Sequence, residues 1–214
     1  MKTLLLIALS LPLVAAEGDL LVDYDVRLTL SAMPKNYDST ATLTQTGEKF
    51  TQSGTIDSGT WTALDMQASL REGGKFALLV GGGIDFIGLE DGDAEGKDSL
   101  RGVGLHVDVG GSFRPTPMFS MELSLLLGGG STSYTAEDTA ANISVDSSSG
   151  TYGTAAILFR PVITFKPGFQ LFGQIGYSGF NFRNSFDGTA VTPPFKTETD
   201  LTGITYGLGI GWRF

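Results

Sequence analysis

The stretch from residue 201 to residue 214, LTGITYGLGIGWRF, alternates between large apolar side chains and small or charged ones. The apolar row is Ile204, Tyr206, Leu208, Ile210, Trp212 and Phe214, and the opposite row is Thr205, Gly207, Gly209, Gly211 and Arg213. Successive side chains of a β-strand point to opposite faces, whereas a helix repeats about every 3.6 residues. The pattern therefore predicts a strand with one apolar face and one polar face.

Seven earlier segments alternate in the same way. They cover roughly residues 20–32, 60–71, 76–88, 100–114, 119–128, 152–165 and 169–182. Short turns rich in glycine or proline, at 72–75, 115–117 and 166–168, join three pairs of them. Polar segments at 33–59, 89–99, 129–150 and 183–200 join the others, and weak alternation over 41–56 predicts a hairpin within the first.

Alternating short and long connections are typical of membrane β-barrels, whose strands are apolar outside and polar inside. We therefore predict an all-β fold, a membrane-spanning antiparallel eight-stranded up-and-down β-barrel. Its short turns are expected on the periplasmic side, and its long loops are expected to be external. After residue 16, no apolar stretch of the sequence comes near the length of a membrane-spanning helix.

The first residues are typical of an export signal. Lys2 precedes an apolar stretch, Thr3 to Val14, and Val14-Ala15-Ala16 provides small residues for cleavage. The apolar stretch is shorter than the roughly 18 residues that indicate a spanning helix, and Pro12 interrupts it. We predict a signal peptide at 1–16, cleaved near Ala16, and a barrel at 17–214.

Composition agrees with this assignment and excludes other classes of protein. The 30 glycines suit strands and turns better than helices. Cysteine is absent, which excludes disulfides and thiolate metal sites. The net charge of -9 argues against nucleic-acid binding, which needs a positive surface.

Aromatic side chains flank the short turns on the outward row. This group is Phe76, Phe113, Phe119, Phe165, Phe169, Trp212 and Phe214. Membrane barrels carry aromatic girdles at both interfaces, so these residues predict a periplasmic girdle. A sparser ring at the opposite end is predicted from Trp61, Phe86, Tyr152 and Tyr177.

The export signal, the eight alternating segments, the connection pattern and the terminal GWRF together resemble small eight-stranded bacterial outer-membrane barrels. That group includes the OmpA transmembrane domain and the OmpX-like and opacity-type proteins. The resemblance implies an integral outer-membrane location, contact with outer-membrane lipid and lipopolysaccharide, and insertion by the barrel-assembly machinery. It also implies an assembly signal, made of Tyr206, Leu208, Ile210, Trp212 and Phe214.

The OmpA group carries a peptidoglycan-binding domain after its barrel, whereas this sequence stops at Phe214. We therefore do not expect a cell-wall tether. Function is less specified than architecture, because one barrel supports many unrelated tasks.

Charged side chains lie on the predicted inward row. They are Asp25, Arg27, Asp65, Arg71, Asp85, Asp108, Arg114, Glu122, Arg160 and Arg213. The interior of an eight-stranded barrel is only wide enough for side chains, and opposite charges buried there must pair. We predict that all of these except Arg71 and Arg114 form an ion-pair network that plugs the lumen. Gly207, Gly209 and Gly211 are expected to leave room for Arg27 and other long side chains. The alternative is a gated, narrow, weakly cation-selective channel.

Two motifs could carry further chemistry. Lipid A deacylases of similar size use a strand histidine and a serine two residues later, but Asp108 occupies the serine position after His106. A deacylase is therefore the second alternative, with its nucleophile missing. Residues 91–96 begin like a calcium loop, but Gly102 stands where the bidentate glutamate is required, so we expect a solvated acidic loop.

The sequence favours a non-enzymatic outer-membrane protein with a structural or surface-interaction role through its external loops. We expect a monomer with no cofactor or metal, no catalytic residues and no nucleic-acid partner. Its serine- and threonine-rich external loops suit almost any exposed surface, so they point to an extracellular ligand of no particular class.

Overall fold

The computed structural model describes residues 20–92, 96–138, 143–147, 149–187 and 193–214. The predicted signal peptide lies outside these residues. No helix among them is long and apolar enough to cross a membrane.

The described chain forms antiparallel strands that belong to one sheet. In chain order they are β1 (Leu20–Ala32), β2 (Asn36–Leu43), β3 (Lys49–Thr55), β4 (Ser58–Glu72), β5 (Phe76–Gly92), β6 (Gly96–Thr116), β7 (Phe119–Asp138), β8 (Ile143–Asp146), β9 (Ser149–Thr164), β10 (Phe169–Phe186) and β11 (Phe195–Arg213). Eight of them follow one another as β1-β4-β5-β6-β7-β9-β10-β11, and β11 pairs back with β1. The predicted eight-stranded barrel is confirmed.

The ring closes along a regular ladder between β1 and β11. Asp25 lies opposite Arg213, Arg27 opposite Gly211, and Thr29 opposite Gly209. The end of the barrel where β4–β5, β6–β7 and β9–β10 are joined by short turns is called the turn end. Gly73 and Gly74 have φ angles of 62° and 95° in the first of these turns, a conformation that glycine adopts without strain.

The opposite end, called the extended end, contains more β-structure than predicted. Residues 89–99 are mostly a ladder rather than a loop, with Glu90 opposite Ser99 and Gly92 opposite Lys97. The predicted hairpin within 33–59 is present as β2 and β3, and β2 pairs with β11. Strands β7, β10 and β11 also run into segments predicted to be loops. Apolar alternation fades there, but backbone pairing continues because it needs no apolar face.

Along most ring strands the polarity of the two faces inverts toward the extended end. On β10, Leu171, Ile175 and Tyr177 face outward near the turn end, whereas Phe180 and Phe182 are buried inside beyond them. On β11, Ile204 faces outward and Leu201 is fully buried inside. The outside of the barrel is therefore apolar toward the turn end and polar toward the extended end. Inside the barrel, most of the buried charged side chains lie toward the turn end and most of the buried aromatic ones toward the extended end.

Candidate functional site

The barrel interior toward the turn end is built around Arg27, which is 1% exposed. Its guanidinium makes two hydrogen bonds to Glu122, from Nη1 to Oε2 at 2.6 Å and from Nη2 to Oε1 at 2.9 Å. Nη2 also donates to Asp25 Oδ2 at 2.8 Å. Arg213 donates to the two oxygens of Asp25 at 2.8 and 2.9 Å. Two arginines and two carboxylates from β1, β7 and β11 are thus joined across the lumen.

An amide and an aromatic ring complete the surroundings of Arg27. Gln170 accepts from Arg27 Nε at 3.2 Å and donates to Asp25 Oδ1 at 3.2 Å. The Arg27 guanidinium carbon lies 5.4 Å from the centroid of the Phe172 ring, which allows a cation–π contact. Sequence reasoning missed Gln170 and Phe172. Both residues lie on the inward row of β10, and that position in the alternating pattern could have indicated that they contact the charges of the lumen.

The glycines of β11 make room for particular neighbours. A Cβ at Gly211 would lie 2.9 Å from Cγ of Arg27, as predicted for a residue that leaves space for this side chain. A Cβ at Gly209 would overlap the Phe172 ring, and one at Gly207 would overlap Ser31. Only Gly211 among the three therefore serves Arg27 directly.

A second group of inward charges contains Arg160 and Asp108. Arg160 Nη1 lies 3.5 Å from Asp108 Oδ2, and Gln67 donates to the same oxygen at 3.0 Å. Arg160 Nε also donates to Gln174 at 3.1 Å, and Gln174 donates in turn to Ser31 at 2.6 Å. The distance between Arg160 and Asp108 is longer than the distances between Arg27 and Glu122. Neutral glutamine side chains supply the other hydrogen bonds of this second group.

The third group is centred on His106. Its Nδ1 and Asp85 Oδ1 lie 2.9 Å apart, and its Nε2 and Asp65 Oδ1 also lie 2.9 Å apart. Trp61 Nε1 donates to Asp85 Oδ1 at 2.7 Å. Only the contact with Asp85 has hydrogen-bond geometry, because Asp65 Oδ1 is buried without a hydrogen-bond partner.

The three groups divide the predicted network into separate clusters. We call them together the ionic layer, made of Asp25, Arg27, Asp65, Asp85, His106, Asp108, Glu122, Arg160 and Arg213. His106 was missed as a member of the network, although its inward position was predicted.

The surroundings of His106 do not resemble a deacylase site. Both ring nitrogens face aspartates, and the side chain is buried inside the barrel. Asp108, in the position of the missing serine, accepts a hydrogen bond from Gln67. The described contacts of His106 therefore include no nucleophile.

Beyond the ionic layer, toward the extended end, the interior is apolar. Trp61 packs edge-on against Phe180, with ring centroids 5.5 Å apart, and Phe180 stacks on Phe182 at 6.1 Å. We call this cluster the apolar layer, made of Met33, Ile56, Trp61, Ile87, Leu89, Leu100, Leu126, Tyr152, Ala156, Leu158, Phe180, Phe182 and Leu201. The prediction that Trp61 and Tyr152 belong to an outer aromatic ring is wrong, because they are only 2% and 5% exposed. Phe86 and Tyr177 do face outward.

Between the two layers the structure shows a small cavity of about 10 Å³. Its lining includes Arg160 of the ionic layer, Trp61 and Leu126 of the apolar layer, and the neighbouring Thr29 and Gln174. A water molecule needs roughly 10–15 Å³ of such volume, so the cavity has space for about one.

The residues of the predicted periplasmic girdle lie around the turn end. Phe76 and Phe214 are 74% and 72% exposed, and Phe76 and Phe113 contact each other with ring centroids 4.9 Å apart. Phe165 and Phe169 lie across the last short turn with centroids 6.1 Å apart. Phe119 begins β7 opposite Ile163, and Trp212 on β11 lies opposite Phe169. The remaining residues of the predicted assembly signal, Tyr206, Leu208 and Ile210, lie on the outward row of β11.

The calcium-like motif lies partly outside the described residues, which omit Asp93 and Glu95. Asp91 accepts a hydrogen bond from the backbone of Asp57 at 3.2 Å, and Asp57 accepts one from the backbone of Gly92 at 3.3 Å. These carboxylates tie β5 to the β3–β4 connection. Across the described residues, no group of three or more acidic, histidine or cysteine side chains could hold a metal ion.

Comparison with solved structures finds several bacterial outer-membrane proteins. OprG of Pseudomonas aeruginosa is 15% identical, with a TM-score of 0.49, over 92% of this chain and 98% of that chain. Ail, the attachment invasion locus protein of Yersinia pestis, is 13% identical, with a TM-score of 0.41, over 90% of this chain and 99% of that chain. Neisserial surface protein A is 12% identical, with a TM-score of 0.40, over 89% of this chain and 97% of that chain. None of the curated proteins compared with this sequence matches it.

Comparison with protein families gives one match, to the outer membrane protein beta-barrel domain, over residues 60–214. The matched region contains every ring strand after β1, except the first two residues of β4, and most of both interior layers. This match extends over more than half of the sequence. The chain therefore belongs to the family of outer-membrane β-barrel proteins, and it is integral to the bacterial outer membrane.

Proposed function

We propose that this protein is a non-enzymatic, non-conducting barrel whose structural or surface-interaction role is carried out at its extended end. In this proposal the ionic and apolar layers plug the lumen. The short turns are periplasmic and the extended end is extracellular, as in other bacterial barrels.

The observation that carries the proposal is the close packing where the two layers meet. The cavity where they meet has a volume of about 10 Å³. Steady ion flow needs a continuous hydrated path, and side chains that pair across the lumen obstruct one. Arg27 and Glu122 contribute most, because they are both 1% exposed and bonded through two contacts.

Planar-bilayer recording of the refolded protein tests the plug. We expect no steady unitary openings from the parent protein, and none from Thr202→Ala, which changes an exposed side chain on β11. Steady openings in the parent that change in size with Glu122→Ala or Arg160→Ala would contradict the plug. That outcome would establish the narrow channel instead.

The narrow channel is the second candidate, and buried hydroxyl groups favour it. Several inward side chains carry buried oxygen atoms without a protein hydrogen-bond partner, namely Thr29, Ser112, Ser120, Ser124, Thr154 and Ser178. Such groups can hold water, so a rearranged network could hydrate a path through the ionic layer. The sign of the reversal potential in a salt gradient would then show whether cations pass preferentially.

The proposed contact surface at the extended end is supported by its rigid attachment and its charge. The β2–β3 hairpin is paired with β11 from Tyr37–Leu201 to Leu43–Phe195, and the hydroxyls of Ser39 and Thr199 lie 2.8 Å apart. The exposed charged side chains of this end are mainly acidic: Asp38, Glu48, Asp57, Glu90, Asp98, Glu137, Asp146, Asp187, Glu198 and Asp200 against Lys35, Lys49, Lys97, Arg101, Arg183 and Lys196.

Lipopolysaccharide is the partner that we propose for this acidic surface, through divalent cations that bridge its phosphates to the carboxylates. Retention of purified lipopolysaccharide by the protein in maltoside micelles should require magnesium and should decrease when residues 37–54 are replaced by a short turn. Equal retention in EDTA would contradict bridging. Equal retention without the hairpin would place the contact elsewhere.

We also propose that the outward row of β11 is recognised during insertion. Leu208 and Phe214 are the most exposed apolar side chains of this row, at 74% and 72%. Replacing Phe214 by Asp should lower the amount of protein in the outer membrane, whereas Thr202→Ala should not. Normal outer-membrane levels of the Phe214 variant would contradict this role.

A further inference from the structure

Three arginines line a cavity at the turn end that the lumen plug does not use. Arg71, Arg114 and Arg213 surround about 330 Å³ together with Pro115, Thr116, Pro117 and Thr164. A water molecule occupies roughly 30 Å³ of the liquid, so the cavity has room for a small hydrated anion.

Arg114 has donor capacity that its protein contacts leave open. It is 9% exposed, and its Nη1 donates to Asp23 at 2.6 Å while its Nη2 donates to Ser69 at 3.0 Å. Its Nε is buried and has no hydrogen-bond partner. A buried donor without a partner is costly, especially on a charged group.

Arg71 is the least compensated of the three. It lies opposite Leu21 in the β1–β4 ladder, and its side chain has no ion pair or hydrogen bond among the described residues. Its Nε is also buried without a partner. Two of the arginines that line the cavity therefore each have a buried Nε without an acceptor.

The charges around the cavity leave an excess of positive charge. Asp23 is paired with Arg114, and Asp25 is paired with Arg213 and Arg27. Lys75 and Lys166 lie in the flanking short turns, and Glu72 is the acidic residue beside Arg71. Among the described residues, Asp23 and Asp25 are thus already engaged, whereas the Arg71 side chain is not.

We propose that this cavity binds a phosphate-type oxyanion. Guanidinium groups bind phosphate through paired, charge-assisted hydrogen bonds. A phosphate monoester offers three acceptor oxygens and a charge of about -1.5 to -2 at pH 7, so it can accept from Arg71 and Arg114 together. The same phosphate chemistry is available from a lipid headgroup of the inner leaflet or from a soluble phosphorylated molecule of the periplasm.

Calorimetric titration of inorganic pyrophosphate into the full-length protein in phosphate-free maltoside micelles tests the site. We expect saturable binding to one site, weakened about tenfold or more by Arg71→Gln, because a charge-assisted hydrogen bond is lost. Arg101→Gln is the matched control, since Arg101 is an exposed arginine at the extended end. It should bind as the parent does.

Retention of heat-resistant electrophoretic mobility would show that the Arg71→Gln barrel is folded. Arg71→Lys provides a second variant, which keeps the charge but loses the planar fork, and it should bind with intermediate affinity. Equal pyrophosphate affinity of the parent and Arg71→Gln would overturn the proposal.

Native mass spectrometry distinguishes the two sources of phosphate. Retention of short-chain phosphatidic acid by the parent but not by Arg71→Gln would assign a lipid headgroup. Pyrophosphate binding with no Arg71-dependent retention of phosphatidic acid would assign a soluble ligand. Failure of both probes would exclude the site and leave the proposed lumen plug unaffected.

Discussion

The ionic layer and the apolar layer fill one lumen with opposite chemistry. In the ionic layer, Arg27 and Glu122 are held by short hydrogen bonds in fixed directions. In the apolar layer, Trp61, Phe180 and Leu201 pack without direction-specific bonds among their apolar surfaces. The same eight strands supply both layers, so strand geometry does not cause the difference.

The surroundings of the barrel account for the difference. Where the outer face is apolar, it matches lipid, and polar side chains are confined to the interior, where they must pair. Where the outer face is polar, it matches water, and the interior can be an ordinary hydrophobic core. The comparison shows that one chain folds partly by the rules of membrane barrels and partly by those of soluble proteins.

The largest expected effect comes from breaking the ion pair at the centre of the ionic layer. Glu122→Ala should lower the free energy of unfolding in urea by about 3 to 5 kcal/mol, because Arg27 keeps a buried, less compensated charge. The double variant Arg27→Met with Glu122→Leu should regain most of that loss, since removing both charges removes the desolvation cost. Equal stability of parent and single variant would show that the ionic layer does not depend on this pair.

The matching change in the apolar layer is Leu201→Ala. Leu201 is 0% exposed, so the truncation should leave a cavity in the core. We expect this cavity to lower the free energy of unfolding by about 2 to 5 kcal/mol. Thr202→Ala, at the exposed neighbour on the same strand, should change it by less than about 0.5 kcal/mol. A loss at Thr202 as large as the loss at Leu201 would mean that the extended end is not organised around this core.

A smaller loss is expected from overfilling the space beside Phe172. Gly209→Leu should destabilise the folded barrel by about 1 to 3 kcal/mol, measured by urea unfolding and by heat resistance in detergent, because even its Cβ overlaps the Phe172 ring. Gly153→Leu is the control, since a Cβ at Gly153 meets nothing within 4 Å. Unchanged heat resistance of Gly209→Leu would mean that Phe172 can move aside without cost to the ionic layer.

The smallest effect is expected on the exposed surface of the extended end. Hydrogen bonds from Asn181 and Arg183 hold the pKa of Glu198 below its ordinary value. Because the folded-state pKa is the lower one, this contribution is complete above the ordinary glutamate pKa and is lost as the pH falls through the folded-state pKa.

Arg183→Ala should therefore cost about 0.2 to 1 kcal/mol of unfolding free energy near pH 7, and the difference from the parent should shrink in acid. Arg101→Ala serves as the comparison, because Arg101 is also exposed on a ring strand at the extended end. A difference that grows in acid would reverse the assigned sign for Glu198.

Much of the architecture could be predicted before any tertiary contact was known. Alternation with a period of two residues is local, and it indicates both the strand and its apolar face. The rows of Leu64 and Met66 on β4 and of Leu208 and Ile210 on β11 therefore have the predicted orientation. Inward charges such as Arg27 were also visible, because a charged side chain cannot remain on the lipid face without great cost.

Pairing within the lumen depended on the tertiary structure. Asp65 and Asp85 both meet His106, whereas Asp25 meets Arg27 and Arg213, and only the register of the closed ring decides these partners. The placement of Trp61 and Tyr152 inside the barrel had the same origin. An aromatic side chain fits either a membrane interface or a hydrophobic core. To decide between these two positions, one must know which face of the strand it occupies and whether that face meets lipid, water or the barrel interior at that height.

The sequence by itself therefore determined the strands, their outward apolar rows and the set of charges that had to be inside, because these follow from spacing along one chain. The tertiary structure decided which charges pair, where the polarity of the two faces inverts, and that the Arg71 side chain has no partner among the described residues of the turn end. Those properties arise between strands that are far apart in sequence, and they exist only once the ring is closed.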